Sequence, residues 1–223
     1  MALVGCGRIN FDPTGDGGDP GRWALIQTAG SRSSNVSLAA LGAHHLVVVA
    51  VQLSSTGRVT SILDSSACNA YVEVPAAHAV NRPLADALQI FYAKNSCPGA
   101  DDLGVAATAA IYATVVWEVA GIRTDDPVDT AAVLNDQPAN TAPIGPTITT
   151  STAGEFVVSA AMVENLAVTI HTRNEFTNDQ ITNGNGWAHL TDPMAAAGDH
   201  RAQWDQPSAG SYCASAAAFR VGP

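Results

Sequence analysis

The stretch from Asn174 to Trp187 has the chain's highest density of side chains able to hold a ligand. Asn178, Asp179, Asn183 and Asn185 lie within it, Trp187 closes it, and Trp204 follows further along. Planar amides and carboxylates make the paired hydrogen bonds that sugar hydroxyls favour, and a tryptophan ring offers a stacking face. With Asp192 and Asp205 close in the chain, these residues are expected to line a shallow glycan or Ca²⁺ site. The same residues also suit a plain hairpin loop, whose Asn-Gly pairs supply positive φ.

Other chemistry is more thinly represented. Paired carboxylates on one sheet face would be the mark of a glycoside hydrolase, and Glu73, Glu118, Glu155 and Glu164 are the candidates. Glu118 adjoins Trp117, but neighbouring residues on a strand point to opposite faces. No second strand supplies an E-x-E or E-x-D pattern beside an aromatic platform. Structural carboxylates fit as well, and no catalytic residue is assigned. His44 and His45 are adjacent and would also face opposite ways. His171, His189 and His200 flank the polar stretch, where satisfied or surface histidines are the simpler reading than a metal site. G-x-S-x-G and the common phosphate loops do not occur. No cofactor is expected, a Ca²⁺ ion aside.

The composition narrows the classes further. Of 223 residues 47% are hydrophobic and only 13% charged, so a core can form. The formal net charge is −10, and Lys94 is the only lysine. A chain this acidic, with no basic cluster, is poorly suited to nucleic acid or to anionic lipid heads. No apolar run approaches the ~20 residues of a membrane-spanning helix.

At the amino terminus, Leu3-Val4-Gly5-Cys6 resembles a bacterial lipobox, in which the cysteine is acylated and becomes the mature start. The Gly-, Pro- and Asp-rich run from Asp12 to Gly21 then reads as a hydrated tether. A plain tail is the alternative. An EF-hand loop would need a glutamate after its glycine, which the run lacks. The expected organisation is residues 1–22 as lipidation site and tether and 23–223 as one domain. Gly7 in place of Asp after Cys6 implies the outer membrane, so any membrane contact would run through the lipid alone.

From Trp23 onward, short bursts of β-branched residues separated by Gly, Pro, Asn and Asp predict strands with little helix. The expected fold is all-β: an antiparallel sandwich of jelly-roll or Greek-key type, with at most one short helix, within Ala76–Ala87. Leu46–Val51 is apolar on both faces and belongs in the middle of a sheet. Ile111–Val119 is apolar on one face and mixed on the other, as in a sheet covered on one side. The prolines of Gly121–Thr147 predict a long crossover.

Three strings carry a resemblance: Leu46-Val47-Val48-Val49-Ala50-Val51, then Val59–Ser65 with Asn69-Ala70-Tyr71, then Phe91-Tyr92-Ala93-Lys94-Asn95. Together they resemble a secreted bacterial jelly-roll-like β-sandwich family with the pattern LLVVAV…VTSVTDSAGNTY…YYAKN, over about Ala43 to Arg220. The resemblance implies a fold and no common enzymatic activity. It also places the strands of Cys68 and Cys97 in one neighbourhood, implying a Cys68–Cys97 disulfide. Cys97–Cys213 is the alternative pairing. The expected function is a non-catalytic, exported cell-surface protein acting in adhesion, glycan binding or surface assembly, with glycans or other surface proteins as partners. The alternatives are a carbohydrate-active enzyme or its accessory domain, and a structural subunit assembling through strand exchange.

Overall fold

Leu46–Leu53 is the most strongly apolar segment of the chain, and every residue of it is buried. A strand with no polar face must sit in a sheet covered on both sides, and that requirement organises the molecule. The computed structural model describes residues 21–164, 171–179 and 185–222. Its strands are β1 (Ala24–Ser31), β2 (Asn35–Ser37), β3 (Leu46–Leu53), β4 (Val59–Asp64), β5 (Val72–Asn81), β6 (Asp86–Ala93), β7 (Asp102–Ala107), β8 (Ile111–Ala120) and β9 (Val128–Asn140). There follow β10 (Ile148–Thr150), β11 (Phe156–Val163), β12 (His171–Arg173), β13 (Phe176–Asn178), β14 (Asn185–Leu190), β15 (Gly198–His200), β16 (Gln203–Asp205) and β17 (Gly210–Phe219). Among the described residues the sole helical element is a 3₁₀ turn, Arg82–Leu84, inside the Ala76–Ala87 span where at most one short helix was expected, and Ala76–Asn81 is strand.

The strands form an antiparallel β-sandwich. Its first large sheet runs β1-β8-β3-β6-β5 and its second β13-β14-β11-β17-β9, with β3 and β11 at their centres. The two sheets face each other across a core that includes Leu46, Val48, Trp117, Phe156, Val158, Trp187 and Phe219. Smaller sheets cover the outer faces. β2-β7-β4 lies over the first sheet on a second core containing Val47, Val49, Phe91 and Leu103. On the second sheet, a third core of Val157, Ala161, Leu190, Trp204 and Tyr212 includes residues of the β10-β15 and β12-β16 pairs.

These outer layers correct one expectation. The mixed face of β8 is not solvent-facing: Thr114, Val116 and Glu118 are all buried, Val116 in the core under β2-β7-β4, Thr114 against the Ser33 carbonyl and Glu118 beneath Gln27, Gly42 and His45. A second correction concerns Gly121–Thr147, which contains the thirteen-residue strand β9. Pro138 is compatible with it for two reasons. β9 is an edge strand, and Pro138 falls in the register shift between Gln137 and Asn140, where a missing N–H breaks no ladder bond.

Cys68 and Cys97 form a disulfide, which ties the approach to β5 to the segment after β6, and Cys213 is a free, buried thiol. Asp64 organises the same corner. Its carboxylate accepts hydrogen bonds from the Ser66 and Ala67 amides at 3.1 Å, from Asn69 Nδ2 at 2.7 Å and from the Tyr71 hydroxyl at 2.8 Å.

Candidate functional site

A surface groove of about 400 Å³ opens where the turn after β14 meets β15. Local sequence builds it. Asp192 Oδ1 accepts the Met194 amide at 2.8 Å, and the Asp192 carbonyl accepts the Ala195 amide at 3.1 Å, which fixes a tight turn. The Ala195 carbonyl is held in turn by the Gly154 amide at 2.8 Å. The chain then passes through Gly198, at φ 143°, a conformation that only glycine adopts readily. It enters β15, which pairs with β10. Alanines 195–197 give the groove a small, apolar wall, and Glu175, Asp192 and Asp199 bring carboxylates to it.

These acids are held in place. Asp199 Oδ1 accepts the Thr149 hydroxyl at 2.6 Å. Glu175 Oε1 lies 3.2 Å from His200 Nδ1, and His200 Nε2 lies 3.1 Å from the Ala196 carbonyl. His200 is nearly buried while the Glu175 side chain is 44% exposed, so the ring anchors an accessible carboxylate. Three carboxylates on so small a surface repel anions and offer acceptor pairs to hydroxyl or ammonium donors.

The residues expected to form a glycan or Ca²⁺ site are dispersed. Asn183 lies outside the described residues, and so does Cys6, the expected lipidation site. Trp187 is 1% exposed in the core between the large sheets, and Trp204 is fully buried in the core on the far side of the second sheet. They share no face and neither offers a ring to solvent, which corrects the expected stacking platform. The reason is the alternation of β14, a strand covered on both faces. It sends Asn185, Trp187 and His189 inward together.

Asp179 is also structural. Just beyond β13, it accepts Trp117 Nε1 at 2.8 Å and His189 Nδ1 at 2.7 Å. Asn178 is half-buried at the end of β13, in register with Ala188. Asn185 donates to Gln52 Oε1 across the sandwich. Of the expected cluster only its neighbourhood survives: Glu175 and Asp192, at the two ends of the β13–β14 unit, reach the groove. The sequence placed His200 beside the polar stretch but gave Asp199 no part in a site. The signals present were the Asp-Pro turn at Asp192 and the Gly-Asp-His string, both common in ordinary loops.

The remaining candidates are engaged within the protein. His45 Nδ1 lies 2.7 Å from Glu118 Oε1, and His44 Nδ1 lies 2.7 Å from Asn95 Oδ1. Glu118, fully buried, also accepts Gln27 Nε2 at 2.6 Å and the Gly42 amide at 2.7 Å. Burial raises its pKa, but the His45, Gln27 and Gly42 contacts win and hold it below the usual glutamate value. Glu73 pairs with Arg58 and Gln89, and Glu164 with Ser211. Glu155 lies beside Asp129. Burial and the Asp129 charge push the Glu155 carboxyl up, while the Ser151 and Arg220 contacts hold Asp129 down. None of these four glutamates lies in the groove. Among the described residues no group of three or more His, Cys, Asp or Glu side chains is placed to hold a metal ion. No helix among them is long and apolar enough to cross a membrane.

Comparison with protein-family models, with curated proteins and with solved structures finds no match for this chain.

Proposed function

We propose that this protein is a non-catalytic, exported cell-surface β-sandwich, tethered through a lipid on Cys6, that acts in adhesion by binding glycans in the groove beside Asp192. The observation that carries the reading is the groove itself: ligand-sized, alanine-walled and bordered by the carboxylates of Glu175, Asp192 and Asp199. Fixed carboxylates facing a small apolar surface suit the adjacent hydroxyls and C–H faces of a saccharide. The acidic lining disfavours sialylated, sulfated or phosphorylated glycans and favours neutral or amino sugars. The disulfide supports export, since such bonds persist in oxidising compartments.

A glycan array probed with the full chain, its Asp192→Ala variant and its Asp199→Ala variant tests the reading. Binding confined to neutral or amine-bearing glycans and lost in both variants is the expected result. Each variant loses one hydrogen bond at the surface, so its stability should fall by no more than about 0.5–1.5 kcal/mol. Preference for anionic glycans, or binding that ignores both substitutions, contradicts the assignment to this groove.

A further inference from the structure

One end of the interior between the large sheets is polar, and several of its polar atoms have no partner among the described residues. On β3, β5 and β6 the residues that face the second sheet include Ala50, Ala79 and Leu88. By strand alternation Gln52, Asn81 and Asp86 extend the same faces to the end of the core. Asn81 and Asp86 are register partners that close the β5–β6 hairpin, and Gln52 pairs with Leu88, one step diagonal from Asp86. From the second sheet, Asn185 and Cys213 flank Met162 in register on their two strands.

Asn81 is 0% exposed, and neither its Oδ1 nor its Nδ2 finds a hydrogen-bond partner among the described residues. The Asn185–Gln52 bond leaves Asn185 Oδ1 and Gln52 Nε2, also buried, in the same state. Asp86 is 8% exposed, and desolvation alone pushes its carboxyl up to about 6. Arg82, the cation next to it in the hairpin, is instead paired with Asp136 on β9. Asp86 and Asp136 both act on the Cys213 thiol, which burial and these two charges push up to about 12.

Buried charges in proteins are paired or coordinate a cation, and buried amides are hydrogen-bonded. Among the described residues, this end of the core has a carboxylate without a counter-charge, beside an asparagine whose oxygen and nitrogen are both unused. We propose that Asp86 and Asn81 Oδ1 bind a hard, oxygen-ligated cation of the calcium class, with Asn185 Oδ1 receiving hydrogen bonds from the water that completes its shell. One carboxylate and amide oxygens give the low ligand charge of a weak site, in the range of about 10⁻⁴–10⁻³ M typical of extracellular calcium modules. The glycan groove lies on other elements, so each reading stands or fails without the other.

The test is calcium chloride titrated into chelator-treated full-length protein, followed by calorimetry and by the thermal midpoint. Wild type should bind with a measurable heat, and its midpoint should rise by several degrees once calcium exceeds the dissociation constant about a hundredfold. Asp86→Asn should lose the response and Asn81→Ala should weaken it about tenfold. Asn81→Asp, which adds ligand charge, should tighten it about tenfold. The Asn81 pair keeps the test decisive if Asp86→Asn does not fold. A wild-type protein with neither heat nor shift overturns the proposal. A response unchanged in all three variants, or one lost instead in Asp192→Asn with Asp199→Asn, overturns it equally.

Discussion

Asp179 accepts a 2.8 Å hydrogen bond from Trp117 Nε1, so a carboxylate beyond β13 in one large sheet locks the largest buried ring of the other. The same carboxylate holds His189, whose ring packs edge-on to Trp23 at 6.0 Å. A residue type that reads in sequence as a ligand for solvent-borne molecules is here part of the joint between layers.

Removing that carboxylate leaves two buried donors unpaired. Asp179→Ala should destabilise the protein by about 2–4 kcal/mol in urea denaturation. The proposed glycan binding should stay unchanged per folded molecule, because the groove is built from other residues.

Gly42 lets the His45 ring lie against the backbone. A β-carbon there would stand 2.4 Å from His45 Cε1, so Gly42→Ala must displace the ring from Glu118. Overpacking of this kind costs about 1–3 kcal/mol, and loss of the contact should let the Glu118 pKa rise. Chemical denaturation across acid pH measures both effects. Glu118 is held below its ordinary value, so it stabilises the fold above that value, and the contribution fades as pH falls through the folded pKa. Gly42→Ala should therefore lose less stability on acidification than wild type.

Asp86 has the opposite sign. Its carboxyl moves from 3.8 to about 6 on folding, so its contribution is complete below 3.8 and is lost as pH rises through about 6. Without calcium, wild type should lose about 2 kcal/mol relative to Asp86→Asn between pH 4 and 7. Denaturation midpoints of the two proteins at matched pH check this, and parallel pH profiles would contradict it.

The disulfide spans 29 residues of chain. Reduction, or the Cys68→Ser and Cys97→Ser double substitution, should cost roughly 3–4 kcal/mol by the loop-closure argument. Urea midpoints with and without reductant give the value directly.

How far the sequence reaches depends on whether one strand's own pattern decides the matter. β3 and β11 are apolar on both faces, which is the signature of central, doubly covered strands, and both occupy sheet centres. β9 escaped because Pro138 and the polar residues Asp129, Asn135 and Asp136 look like loop, although an edge strand tolerates them. β7 escaped because Gly104 and two alanines give it little β signature, and its partners β2 and β4 are remote in sequence. The site was harder to read. Whether Trp187 and Trp204 face solvent depends on layers contributed by distant segments, which alternation within β14 or β16 does not encode. Asp192 and Asp199 become groove residues only because the turn after β14 folds against β10 and Gly154.

The proposed cell-surface address is open to a direct test by intact mass of the natively expressed protein, isolated from membranes without reduction. A mature chain beginning at an acylated Cys6, two hydrogens lighter than its fully reduced form, is the predicted result. An unacylated chain recovered from the soluble fraction with every thiol free would contradict both the address and the oxidised Cys68–Cys97 bond.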